Sequence, residues 1–221
     1  MTWIKICGIT NLDDALAAVD AGADALGFVF HEQSPRRVDP AQIRQIAQQL
    51  PANIEKVGVF VNQTEDGIGQ TAKQAGLTAV QMHGNNEDPH VADLVAERSG
   101  LKVFAAIAMN VPNPQGWAMT WRPDKIYAFL LDSGNGTMLG GTGQSFDWRA
   151  SAAAINVIKR LGNVVLAGGL NPENITGAMH ITHPWGVDVS SGVESKPGKK
   201  DHEKIRAFVK AVREADKANP N

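Results

Sequence analysis

The chain has 221 residues, 43% of them hydrophobic and 20% charged, with a formal net charge of −2; that length suits one α/β barrel and that composition an ordinary globular core. The balance offers no basic field for nucleic acid and no polybasic patch for a membrane surface. No apolar run approaches the roughly 20 residues of a spanning helix, no leader-like segment opens the chain, and a single cysteine, Cys7, fits a reducing cytoplasm.

Short apolar runs at 3–6, 25–30, 56–60, 79–82, 103–107, 126–131, 164–167 and 186–189 read as eight strands, apolar on both faces as buried parallel strands are. Helical stretches alternate with them. After the first strand, Leu12, Ala15, Leu16 and Val19 form a helical stripe, and Thr10 and Asp13 have capping-box spacing. After the second, Asp39-Pro40 supplies an N-cap and a proline at N1 ahead of Ile43, Ile46, Ala47 and Leu50. Asn171-Pro172 repeats that start before Ile175 and Met179, and the last helix begins near Asp201 with Ile205, Phe208, Val209 and Val212 on one face. Eight such units without a composition break predict a single-domain (β/α)8 TIM barrel over 1–221, with a polar, frayed C-terminal tail from about 216. An open doubly wound sheet is the alternative, but Gly8-Ile9-Thr10 is not its GxGxxG fingerprint.

Barrels of this kind gather their active sites at the C-terminal strand ends, so those tips carry the functional reading. Strand one ends in Cys7, and Gly8 after it permits close approach to the backbone. A single strand cysteine is ordinarily a small buried hydrophobe; the neighbouring tips argue for more. The loop after strand two carries Arg36 and Arg37, either surface charge or, for one of them, a fork for a substrate carboxylate. Strand four ends in His83-Gly84, as often structural as catalytic. Strand six ends in Asp132, where partial desolvation suits a general acid, although a cap or a solvated charge is an equal reading. Gly168-Gly169 after strand seven and Ser191-Gly192 after strand eight can turn backbone N–H groups toward one anion, and a phosphate is expected there; plain tight turns are the bland alternative. Lys5 and Asp188, inside strands one and eight, read as a structural pair. The loop 133–146 holds five glycines, at 134, 136, 140, 141 and 143, which makes a mobile lid plausible. The six histidines, at 31, 83, 90, 180, 183 and 202, form neither HxH nor HExxH and Cys7 has no cysteine partner, so no metal is expected and acid–base chemistry without a cofactor leads.

Lys5-Ile6-Cys7-Gly8-Ile9-Thr10, Gly22-Ala23-Asp24, Gly27-Phe28-Val29-Phe30, Ser34-Pro35-Arg36, Val57-Gly58-Val59-Phe60-Val61-Asn62 and Val80-Gln81-Met82-His83-Gly84 together resemble the phosphoribosylanthranilate isomerase family of tryptophan biosynthesis. Gly140-Gly141-Thr142-Gly143, Phe146-Asp147-Trp148, Leu166-Ala167-Gly168-Gly169-Leu170 and Gly186-Val187-Asp188-Val189-Ser190-Ser191-Gly192-Val193-Glu194, then Pro197-Gly198 and Lys200-Asp201, continue the likeness to the end of the chain. Met82 stands where the family commonly has leucine, a volume-conserving swap. The resemblance implies an Amadori rearrangement of N-(5-phosphoribosyl)anthranilate to 1-(2-carboxyphenylamino)-1-deoxyribulose 5-phosphate. It further implies Cys7 as general base, Asp132 as general acid, Arg36 toward the anthranilate carboxylate and Gly168, Gly169, Ser191 and Gly192 toward the phosphate. His83 joins the substrate contacts. A thiolate base calls for a cation that lowers its pKa, and Lys5 is expected on the opposite side of the strand, so the helping cation stays open. The expected partner is this small phosphosugar–anthranilate, with no nucleic acid or membrane, in a cytoplasmic monomer or homodimer.

Two rivals remain at this level. The related histidine-pathway aminoaldose–ketose isomerase typically has aspartate where Cys7 stands and a second phosphate loop, and Val61-Asn62-Gln63 lacks that glycine cradle. A non-catalytic phosphosugar-binding barrel would need the anion pocket but not Cys7 and Asp132 together.

Overall fold

The computed structural model describes residues 1–83, 89–134 and 144–218. The chain runs β1 (Trp3–Cys7), α1 (Leu12–Ala21), β2 (Ala25–Val29), α2 (Pro40–Ala47), β3 (Glu55–Phe60), α3 (Glu65–Ala75), β4 (Ala79–Met82), α4 (Pro89–Ser99), β5 (Lys102–Ala108) and α5 (Pro114–Ala118). It continues through β6 (Ala128–Asp132), α6 (Ala152–Lys159), β7 (Val164–Leu166), α7 (Ile175–Thr182), β8 (Gly186–Val189), a 3₁₀ turn (Ser191–Val193), the short pair β9 (Glu194–Lys196) and β10 (Lys199–Lys200), and α8 (His202–Ala218). Strands β1 to β8 pair in chain order and β8 closes on β1, every pair parallel. This is the expected (β/α)8 barrel, with each strand within two residues of its expected bounds. Among the described residues no helix is long and apolar enough to cross a membrane.

Alternation along each strand divides the core in two. One set of side chains, including Ile4, Ile6, Leu26, Phe28, Val80, Phe129 and Leu131, packs outward against the helices. The other, including Ala25, Val57, Ala79, Phe104, Ala128, Leu130 and Val165, fills the barrel interior. At the N-terminal end of the strands Trp3 stacks on Phe104 and Trp185, with ring centroids 5.4 and 5.3 Å apart, and Tyr127 meets Trp185 edge-on. That aromatic layer stops one end of the barrel, and the polar interior residues lie toward the other.

Four local expectations differ from what forms. In α1 the N-cap is Asn11, whose side chain accepts from Asp14 N–H at 2.9 Å, rather than a Thr10–Asp13 box. The buried face of that helix is Asp14, Ala15 and Ala18, while Leu16 is exposed. The rotation has a cause: buried Asp14 accepts from Lys199 Nζ at 3.0 Å and from the Lys200 backbone N–H at 2.9 Å, and meets His202 Nε2 at 2.9 Å. Asn171-Pro172 opens a turn, with Asn171 Oδ1 accepting from the N–H groups of Glu173 and Asn174, and α7 begins after it. The first residues of the expected tail are helical. Helix α8 continues to Ala218, tied by Asp216, which accepts from the Thr2 backbone N–H at 3.0 Å and hydroxyl at 2.6 Å. The proposed start at Asp39-Pro40 forms as expected, with Asp39 accepting from Ala41 N–H. The glycine-rich part of the supposed lid, 135–143, lies outside the described residues, as does Gly84.

Candidate active site

The register of β1 sets the first half of the site. Cys7 stands beside Gly27 of β2, and Lys5 beside Ala25 and Asp188. A Cβ on Gly27 would lie 2.6 Å from Cys7 Sγ and 3.0 Å from Lys5 Cε, so the missing side chain there makes room for both. Residues two apart on a strand share a face, and Lys5 therefore lies on the same side as Cys7, not opposite it. Lys5 is fully buried and donates to Asp188 Oδ1 and to Gln81 Oε1, each at 2.9 Å. The expected Lys5–Asp188 pair is present.

Gln81 extends the line across the barrel. Its Nε2 is 3.2 Å from His83 Nδ1, and His83 Nε2 is 3.9 Å from Asp132 Oδ2. Asp132, the last residue of β6, is buried, and its Oδ1 accepts from the Ser133 hydroxyl at 3.3 Å. Asp188, Lys5, Gln81, His83 and Asp132 thus form one polar string through an apolar interior, with Cys7 next to Lys5.

Burial decides most of the protonation in this string. It pushes the Cys7 thiol above its ordinary value; Lys5 pulls down, Asp188 pushes up and Lys200 pulls down, but desolvation prevails. The cations a thiolate would need are present, yet the resting group is the thiol. Burial also disfavours the Lys5 ammonium, but Asp188 and then Cys7 outweigh it and Lys5 is held above its usual range. Asp188 is raised chiefly by burial, which exceeds the pull of Lys5. His83 is lowered, burial outweighing Asp132, so its ring stays neutral.

Arg36 enters from the loop after β2. Its Nε and Nη2 donate to Glu194 Oε1 and Oε2 at 2.8 and 2.7 Å, and Lys200 Nζ donates to Glu194 Oε1 at 3.0 Å. Gly8, with φ +77°, lies beneath the Arg36 stem: a Cβ there would be 2.6 Å from Arg36 Cδ. Gly8 does permit a close approach, and what approaches is this arginine. Glu194 holds the Nε–Nη2 edge and leaves the Nη1–Nη2 edge as the one a second carboxylate would use.

The loops after β7 and β8 meet. Gly168 and Gly169 have φ +77° and +65°; a Cβ on Gly168 would fall 2.4 Å from Ser133 N, and one on Gly169 2.3 Å from the Gln144 carbonyl carbon. A Cβ on Gly192 would fall 1.9 Å from Leu170 O. These glycines bring the β6, β7 and β8 loops together, and Ser191 opens the 3₁₀ turn beside them. Among the described residues no three His, Cys, Asp or Glu side chains converge as metal ligands do.

Sequence reading named Cys7, Asp132, Arg36, His83 and the four loop residues, but not Gln81, Glu194 or Lys200. Gln81 had a signal: a polar residue two before His83 in an apolar strand shares its face. Glu194 and Lys200 had none, because Glu194 meets Arg36 across 158 residues and Lys200 joins the arginine only through Glu194.

A family model described as N-(5'phosphoribosyl)anthranilate (PRA) isomerase matches residues 4–211. Curated N-(5'-phosphoribosyl)anthranilate isomerases of Geobacter sp. (strain M21) and Pelobacter propionicus are each 48% identical to this chain, covering 95% and 97% of it and 97% of each relative. The crystal structure of phosphoribosyl anthranilate isomerase from Thermotoga maritima is 40% identical and superimposes with a TM-score of 0.86 over 97% of this chain and 100% of its own. A crystal structure of that enzyme type in complex with reduced 1-(o-carboxyphenylamino)-1-deoxyribulose 5-phosphate is also 40% identical, with a TM-score of 0.84 over the same shares. With nearly the whole barrel matched in both sequence and structure, the chain belongs to the N-(5'-phosphoribosyl)anthranilate isomerase family.

Proposed function

We propose that Cys7 is the general base and Asp132 the general acid of the aldose–ketose isomerisation of N-(5'-phosphoribosyl)anthranilate that this family performs in tryptophan biosynthesis. The supporting observation is the polar string itself: a thiol and a carboxyl group end β1 and β6 at the same end of one barrel, joined through Lys5, Gln81 and His83. Asp132 gives its proton to the ribose ring oxygen as the C1–O bond breaks, leaving a protonated Schiff base between C1 and the anthranilate nitrogen. Cys7 removes the C2 proton, and that electron pair forms the C1–C2 double bond while the C1–N pair returns to nitrogen. The resulting enolamine, which is also an enol at C2, takes a proton at C1 and loses the hydroxyl proton to become the ketone.

Burial favours the resting thiol, so the ionised base needs help at the right moment. Ring opening places a positive charge beside Cys7, adding to Lys5 and Lys200, and thiolate character rises when a base is wanted. Arg36 offers its Nη1–Nη2 edge to the anthranilate carboxylate, and the joined loops at Gly168, Gly169, Ser191 and Gly192 receive the phosphate. The ligand in the related crystal structure carries both a carboxyphenyl group and a 5-phosphate, which supports anion sites at two ends of the mouth. The test is direct. Freshly prepared phosphoribosylanthranilate should lose its anthranilate-type fluorescence with micromolar enzyme, and an unchanged signal would overturn the reading.

A further inference from the structure

Gln81 has no proton to give at neutral pH and does not end a strand, yet it is the joint of the polar string. Lys5 carries an ammonium, which donates only, so the atom of the Gln81 amide that faces it at 2.9 Å must be the oxygen. The amide NH2 is then the group turned to His83 Nδ1 at 3.2 Å. A protonated Nδ1 would set two donors against each other. In a neutral ring the proton therefore belongs on Nε2, the nitrogen on the Asp132 side, 3.9 Å from Oδ2.

We infer that Gln81 is a positioning residue: the Lys5 ammonium orients its amide, and the amide holds His83 as the Nε2-protonated tautomer with its donor turned toward Asp132. A gap of 3.9 Å is longer than a direct hydrogen bond, so the donor acts when Asp132 or a ligand oxygen moves into it. A neutral donor there favours the carboxylate that remains after Asp132 gives up its proton. The ring is kept neutral by burial; the titratable groups acting on it are Asp132 from β6, Lys5 from β1, Asp188 from β8 and His31 after β2, of which only the two aspartates favour a charged ring. The catalytic part of the inference rests on the acid role of Asp132; the tautomer does not.

The test is two-bond 1H–15N correlation on the full chain labelled with 15N-histidine, with His83 assigned by its loss in His83→Asn. Between pH 6 and 8 the His83 ring should show a proton on Nε2 and none on Nδ1. A protonated Nδ1 in the wild type would overturn the inference without any variant. In Gln81→Glu the carboxylate accepts from both neighbours, so Nδ1 should gain a proton, and kcat should fall about tenfold, the worth of one hydrogen bond made at the transition state, with KM within about twofold. A Gln81→Glu enzyme whose Nδ1 is protonated but whose kcat equals wild type would remove the catalytic role. A wild type without isomerase activity but with the Nε2 tautomer would sink the proposed function and leave the tautomer standing.

Discussion

Arg36 and Glu194 meet edge to edge, Nε and Nη2 of the guanidinium on the two carboxylate oxygens at 2.8 and 2.7 Å, although 158 residues separate them. Glu194 also accepts from buried Lys200. Burial pushes the Glu194 carboxyl up, but Arg36 and Lys200 outweigh it and hold the group below its usual range. The arginine is thus fixed before any ligand arrives, which lowers the ordering cost of binding a carboxylate on its other edge.

Arg36→Met keeps the stem over Gly8 and deletes the fork. Michaelis–Menten measurements should show KM rising about 10–150-fold, the worth of one charged hydrogen bond of roughly 1.5–3 kcal/mol, with a smaller fall in kcat. An unchanged KM would assign the substrate carboxylate to Arg37 or another donor.

For the phosphate, Ser191→Asp is the informative change, because it adds a carboxylate at the 3₁₀ turn without disturbing the glycine contacts. KM should rise about tenfold or more, and competition by inorganic phosphate should weaken. Gly169 is a poor probe of the same idea: its φ of +65° and the 2.3 Å approach to Gln144 mean that any side chain there strains the fold. Ser191→Asp with wild-type KM and wild-type phosphate inhibition would move the phosphate elsewhere.

Asp14 predicts the acid sensitivity of the fold. Burial pushes its carboxyl up, but the Lys200 N–H, His202, Asn11 and Lys199 prevail and bring it from 3.8 down to about 2. A carboxyl lowered on folding stabilises the native state above its unfolded pKa, and that stability is lost as pH falls through the folded value. The loss is about 2 kcal/mol between roughly pH 5 and pH 2. Urea unfolding at pH 7 and pH 3 should show a larger drop for wild type than for Asp14→Asn, which has no such titration. Equal drops would place the acid-labile group elsewhere.

The strands and the tips that end them were legible because short apolar runs set between helical stretches survive in any context. Cys7, Asp132 and Arg36 could be named as tip residues for the same reason. What the sequence hid were relations between units. The stripe on α1 pointed to Leu16, but Asp14 faces inward because its partners come from the far end of the chain. Glu194 read as part of a motif and not as the holder of Arg36. Lys5 is different: it was expected opposite Cys7, although strand alternation alone puts residues two apart on one face, and no long-range contact was needed to place it correctly.

The acid–base assignment makes the sharpest demand. Cys7→Ser keeps the shape of the thiol with a far higher pKa, and Asp132→Asn keeps the shape of the carboxyl without an acidic proton. Each should lower kcat by about 10²–10⁴-fold with nearly unchanged binding of a product analogue, and the double variant should lose much less than the product of the two. The pH dependence carries its own sign. Burial raises the Cys7 thiol in the free enzyme, so the active thiolate grows as pH rises, and kcat/KM should climb on the acidic side with an apparent pKa displaced to higher pH than that of an ordinary thiol. Asp132→Asn should retain that limb at reduced height, because the base is untouched, whereas Cys7→Ser should erase it. A Cys7→Ser enzyme that keeps more than about a tenth of wild-type kcat at neutral pH, or that keeps the rising limb, is incompatible with a thiolate base.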